Sequence, residues 1–164
     1  MKSDHFFSIN TDTYTQSYTY DLIFIDGLHE ANQVLRDVEN SLKILNKGGT
    51  ILIHDCNPRT EQYQYRLDNP KLDMTLWTGD VWKAIVILRL NTNLEVIVGD
   101  FDMGLAIVRV RPNRIPLSDI LLKPILDIYP LKEIVHQLPY TYLNENRKEL
   151  LLLSTVADIE KWID

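Results

Sequence analysis

Two carboxylates and two imidazoles stand out in this chain. Asp26 closes the run Tyr20-Asp-Leu-Ile-Phe-Ile-Asp26, and Asp55 closes Thr50-Ile-Leu-Ile-His-Asp55. His29 follows the first run by three residues, and His54 lies inside the second. Carboxylates brought to one place repel unless a cation or a proton sits between them. Oxygen ligands suit Mg²⁺, and an added imidazole leans toward a transition metal. An imidazole titrates near neutrality, so His29 is the candidate general base for removing a proton from a hydroxyl. The plainer alternatives are that Asp55 caps a turn, that Asp26 accepts from loop amides, and that His29 bonds backbone at a helix start. His5 and His136 lack partners at a recognisable spacing and read as surface or structural residues. Trp77, Trp82 and Trp162 read as core. Glu30 and Glu39 read as solvated helix charges, Asp100 and Asp102 as turn residues, and Cys56 as packing rather than a reactive thiol.

The elements that must position these groups follow from periodicity. Leu22–Ile25 is a short apolar run ending at Asp26-Gly27, which predicts a strand buried on both faces. Val34, Leu35, Val38, Leu42 and Leu45 recur at helical intervals, predicting a helix within 28–46 that Lys47-Gly48-Gly49 stops through a left-handed cap. Residues 50–55 predict a second buried strand, so strand, helix and strand form a right-handed βαβ unit with parallel strands. The carboxyl ends of such strands border the ligand crevice of an open α/β sheet. Residues 56–77 are polar and turn-rich, a length of loop that is usually functional. A helix over 79–90 with Asp80 as N-cap follows, then strands at 94–98 and 105–110 joined as an antiparallel hairpin. Beyond Pro112 the segments 117–129 and 134–142 are interrupted by prolines. Residues 144–153 predict a helix, and Ser154 precedes a capped final helix carrying Trp162.

Composition narrows the classes. The 164 residues fit one domain and are 45% hydrophobic, enough for a packed core. A net charge of -6 counts against nucleic acid or anionic membrane as the main partner. One cysteine excludes an internal disulfide and suits a reducing cytosol. No signal-like or membrane-length apolar stretch stands out, so a soluble cytoplasmic protein is expected.

The blocks Tyr20-Asp-Leu-Ile-Phe-Ile-Asp-Gly-Leu-His29, Leu45-Asn-Lys-Gly-Gly-Thr-Ile-Leu-Ile-His-Asp55 and Gly79-Asp-Val-Trp-Lys-Ala84, with the ending Asn146-Arg-Lys-Glu-Leu150 before a tryptophan-bearing helix, resemble the class I S-adenosylmethionine (SAM) methyltransferases, in particular small members found beside sugar-modifying enzymes. The resemblance implies a partial Rossmann-like α/β fold. Its mixed sheet keeps strands 4-5-7-6 with an antiparallel terminal hairpin, and helices lie on both faces. Residues 1–112 would form the truncated methyltransferase domain and 113–164 a helical C-terminal extension packed on it. The implied function is methyl transfer from SAM to a small-molecule hydroxyl or amine, a sugar among the acceptors. Asp26, Gly27 and Leu28 would line the methionine end of the cofactor. Asp26 and Asp55, with His54 or Cys56 in a further ligand position, would hold a divalent metal such as Mg²⁺.

The departure from that family is as clear. Its Gly-x-Gly loop lets backbone approach the cofactor at a helix N-terminus. Here Gly27 is the first glycine and no pair stands at Gly-x-Gly spacing. The residues before Tyr20 are too few for three further strand–helix units. The expectation is therefore a truncated enzyme, or else a non-catalytic remnant or interaction subunit; another Rossmann-like binder is a weaker third. The strand at 22–25 would then be an apolar unpaired edge, and a homodimer or a partner chain is expected to cover it.

Overall fold

A computed structural model describes residues 2–13, 19–111, 133 and 137–163. The segment 117–129, residues 134–136 with His136, and the prolines at 116, 124 and 130 lie outside the described residues. In order come α1 (Ser3–Thr13), β1 (Tyr20–Ile25), α2 (Ala31–Ile44), β2 (Leu45–Ile53), α3 (Val81–Arg89), β3 (Leu94–Gly99), β4 (Leu105–Val110), α4 (Tyr140–Leu151), β5 (Leu153–Ser154) and α5 (Val156–Ile163). The five strands make one mixed sheet in the order β1-β2-β4-β3-β5. β1 and β2 are parallel, with Ile25 opposite Ile53, so both strands finish at the same end of the sheet. β4 runs antiparallel to β2 and to β3.

The period-two alternation of the strands sorts their side chains onto two faces. Ile23, Ile25, Ile51, Ile53, Val96, Val98, Ala106 and Val108 face α2 and α3, where Val34, Val38, Trp82 and Ile85 complete the main core. Ile97 and Ile107 face the other way and pack against Ile159 and Trp162 of α5. Arg109 and Arg111 lie over the Trp162 ring, at 5.1 and 4.4 Å from its centroid, and the Arg111 side chain also pairs with buried Glu95. The last helix is thereby fixed to the hairpin.

Several boundaries differ from expectation; the helix expected over 144–153 spans Tyr140–Leu151. α2 does not end in a glycine cap: Leu45 is already extended (φ -82°) and the chain passes straight into β2. Lys47-Gly48-Gly49 belongs to the irregular start of that strand, where the pairing steps from Tyr20–Leu45 to Leu22–Thr50. Asp80 does not cap its own helix; its carboxylate accepts from the backbone N–H of Ala31 at 2.7 Å and so caps α2. The final helix is capped by Thr155 rather than Ser154, with Thr155 Oγ1 accepting from the Asp158 amide and the Asp158 carboxylate accepting from Thr155.

β1 is half-covered rather than buried on both faces. Phe24 pairs with Leu52 and shares its face, yet Phe24 is 56% exposed and Leu22 58%. The α5 cluster on that face stops short of Leu22 and Phe24, and among the described residues no strand pairs with the outer edge of β1.

Candidate metal centre

The parallel pairing of β1 and β2 places Asp26 and Asp55 side by side at the C-terminal end of the sheet. Each strand loses its ladder there, and the chain turns into loop. Asp55 has φ of 60°, the left-handed region that costs a non-glycine residue about 1 kcal/mol and that aspartate tolerates better than most. This twist aims its carboxylate back toward β1.

His29 enters from the loop before α2 and completes the set. Its Nε2 lies 3.3 Å from Asp26 Oδ1 and 3.3 Å from Asp55 Oδ2. Its Nδ1 lies 3.0 Å from the carbonyl oxygen of Trp77. A carbonyl only accepts, so Nδ1 must carry the proton and donate it. In neutral imidazole Nε2 is then a bare lone pair facing two carboxylate oxygens. Three acceptors converging on one point are stable only around a proton or a cation. A ring nitrogen donating to a backbone carbonyl while the other faces carboxylates is also the way metal-bound histidines are commonly oriented. One ligand atom from each of Asp26, His29 and Asp55 falls within 4.8 Å of the others.

The backbone of His29 is seated by the start of α3. Gly79 has φ of 57°, and a Cβ there would lie 1.7 Å from the His29 carbonyl oxygen. The Asp80 amide donates to that same oxygen at 3.2 Å. Trp77 stacks on the His29 ring with centroids 4.9 Å apart. Arg66 bonds Glu30 at 2.7 Å and Asp80 at 3.1 Å, tying the long loop to both helix starts. Trp77 and Glu30 are thus parts of the site's support, rather than core and solvated charge. A glycine–aspartate pair at a helix start was the sequence signal for this seat.

His54 plays a different part from the one expected of it. Its Nδ1 lies 3.3 Å from Asp55 Oδ2 and 3.6 Å from Asp26 Oδ1, while its Nε2 lies 3.2 Å from Asp102 Oδ2. Acids face both ring nitrogens. Burial pulls the His54 pKa down, but Asp55, Asp102 and Asp26 outweigh it and the net shift is upward. His54 thus faces the same two carboxylates as His29 and a third, Asp102, at its other ring nitrogen. Asp102 is more than a turn residue, since it supplies the outer acid. Asp55 is shifted upward too, first by burial and further by Asp26, against the opposing pull of His29 and His54. Cys56 is fully buried, bonded to the Ile53 carbonyl, with its thiol pKa pushed up: it packs and does not react. His5 is exposed.

On the other side of Asp26 lies a cavity of about 890 Å³ between α1, α2 and β1. Asp26, Gly27 and Leu28 line it, together with Phe6, Phe7 and Phe24 and the acids Asp4 and Asp37. The three residues expected at a cofactor therefore border both the cavity and the acidic cluster.

With this geometry in place, the comparison with known families is informative. Residues 3–56 match the family model of a methyltransferase domain. The match supports the class I SAM-dependent methyltransferase family that the sequence resembles. It runs from α1 to three residues past β2, and so takes in Asp26, Gly27, Leu28, His29, His54 and Asp55. No curated protein and no solved structure matches the chain. No helix among the described residues is long and apolar enough to cross a membrane.

Proposed function

We propose that the chain serves methyl transfer from SAM to a hydroxyl or amine of a small molecule, a sugar among the acceptors, beside a divalent cation held by Asp26, His29 and Asp55. The observation that carries this reading is the convergence of the His29 Nε2 lone pair and two carboxylates on one point, inside the span that matches a methyltransferase domain. In this reading β1, β2, β4 and β3 stand as strands four, five, seven and six of the family's sheet.

The residues present fit both groups. Two carboxylates and one imidazole make a mixed oxygen and nitrogen donor set suited to Mg²⁺ or Mn²⁺. The cavity volume falls within the usual range of about 300–1,000 Å³ for small-ligand sites. Its aromatic and aliphatic walls suit a flat heterocycle, and its acids suit the two cationic centres of SAM.

SAM, when bound, supplies an already activated methyl group, which leaves the protein the tasks of alignment and proton removal. A divalent cation, when bound, supplies a positive charge that lowers the pKa of an acceptor hydroxyl. Asp26 and Asp55 would hold that charge, and Trp77 fixes the His29 ring with Nε2 toward them. Where neither a cation nor a proton occupies the trio, His29 is the base. Its Nε2 takes the hydroxyl proton while Nδ1 stays bonded to the Trp77 carbonyl, and the imidazolium formed lies 3.3 Å from each carboxylate. We also propose that another chain, a second copy or a partner, covers the apolar edge at 22–25.

Calorimetric titration of the protein with SAM, with and without Mg²⁺, tests the function. A dissociation constant tighter than about 100 μM, near -5.5 kcal/mol, is expected. No heat would favour a non-catalytic interaction subunit. Binding of a nicotinamide or nucleotide in place of SAM would favour another Rossmann-like binder.

A further inference from the structure

Four described non-glycine residues have left-handed backbone, and three of them, Asp55, Asp102 and Met103, meet at one place (φ 60°, 45° and 58°). The turn between β3 and β4 docks there on the exit of β2. The Cys56 amide donates to the Gly104 carbonyl at 3.0 Å and the Asn57 amide to the Met103 carbonyl at 2.7 Å. The approach is close enough that a Cβ on Gly104 would lie 2.5 Å from the Asn57 Cβ. The inner side of the 55–57 turn is thereby fixed.

The outer side is held from far along the chain. Arg147 on α4 donates to the Asn57 side-chain oxygen, to the Pro58 carbonyl at 2.7 Å and to the Tyr140 hydroxyl at 3.0 Å. The Tyr140 hydroxyl in turn donates to the Arg59 carbonyl at 2.7 Å. Asn57 is fully buried, and its amide nitrogen donates to Asp100 at 3.1 Å. Asn57 therefore joins both clamps, two residues after Asp55. A guanidinium fork can serve three acceptors in fixed directions, whereas a lysine ammonium acts as a single point charge.

We propose that Arg147 is a positioning residue for Asp55. Through Asn57 and the Pro58 carbonyl it locks the left-handed turn that aims the Asp55 carboxylate at His29 and Asp26. The inference rests on the cation reading above, and the partners that orient a ligand typically change metal affinity by about 10–100-fold when removed.

The test is a Mn²⁺ titration of the purified protein followed by electron paramagnetic resonance, with amide hydrogen exchange of Cys56 and Asn57 measured on the same samples. Arg147→Ala is expected to weaken Mn²⁺ binding about tenfold or more and to broaden the bound-ion signal. The Cys56 and Asn57 amides are expected to exchange faster, while Val96 and Val108 in the sheet keep their protection. Arg147→Lys should fall between wild type and alanine. Should Arg147→Ala fail to fold, Tyr140→Phe removes one hydroxyl of the same clamp and is expected to shift both readouts the same way, by less. Unchanged Mn²⁺ affinity together with unchanged Cys56 and Asn57 exchange overturns the proposal. A wild type that binds no Mn²⁺ defeats the cation reading instead, and the clamp then stands or falls on the two amides.

Discussion

At the scale of single residues, the site is decided by where protons can sit. The Trp77 carbonyl assigns the His29 tautomer, and that leaves Nε2 as the third acceptor between Asp26 and Asp55. His29→Ala or Asp55→Asn should each reduce divalent-cation affinity by about a hundredfold, read by calorimetry with Mn²⁺. His54→Gln keeps the trio and should cost less than tenfold. The sign of the pH dependence follows from the upward shifts of Asp55 and His54. A raised pKa means the folded state holds the proton more tightly than the unfolded state. The His54 contribution is thus fully present below the ordinary histidine value of about 6.5, and it is lost as pH rises through the elevated folded value. Without metal, thermal stability should fall across that window, and His54→Gln should flatten the fall. Loss of the His54 charge beside Asp26 and Asp55 removes a repulsion toward a cation, so cation affinity should rise over the same window.

At the scale of elements, the βαβ unit explains why the acids meet, and glycine placement explains how tightly the rest is set. Gly79 has no room for a methyl group against the His29 carbonyl, whereas a Cβ on Gly27 would meet nothing within 4 Å. Gly79→Ala should therefore lower stability by roughly 2–4 kcal/mol, measured by urea unfolding, and displace His29. Gly27→Ala should leave stability within about 0.5 kcal/mol and, in the proposed function, weaken SAM binding only. This contrast also marks what the sequence made legible. Branched runs ending in aspartate announced the parallel pair and its shared end, because period and composition are local signals. The hairpin at 94–110 was equally local. The roles of His29 and His54 were not legible in advance. Which imidazole turns inward depends on Trp77, lying 48 residues after His29, and on Asp102, lying 48 residues after His54. Nothing in spacing along the chain encodes either contact. The glycines after α2 misled for the same reason: a Gly-Gly pair signals a helix stop locally, but here the pairing with β1 draws Leu45 straight into a strand.

At the scale of the whole molecule, two features stay uncovered among the described residues: the cavity beside α1 and the outer edge of β1. Leu22 and Phe24 share the face that α5 covers over β3 and β4, but α5 does not extend to them. Exposed apolar edges of this kind recruit other strands. Light scattering should show self-association or a bound partner for the wild-type chain. Leu22→Glu should shift the population toward monomer while leaving Mn²⁺ binding at the trio within about twofold; a wild type that is monodisperse and monomeric would remove the edge from the account. The methyltransferase-domain match ends at Cys56, yet the support of the site reaches to Arg147 on α4. The C-terminal segment is therefore expected to be needed for a well-ordered centre. Crystals soaked in Mn²⁺ and measured for anomalous scattering address that centre most directly. A peak bounded by Asp26, His29 Nε2 and Asp55, at roughly 2.0–2.3 Å from each ligand atom, is expected. A map with no peak there, or with the two aspartates turned away from each other, would contradict it.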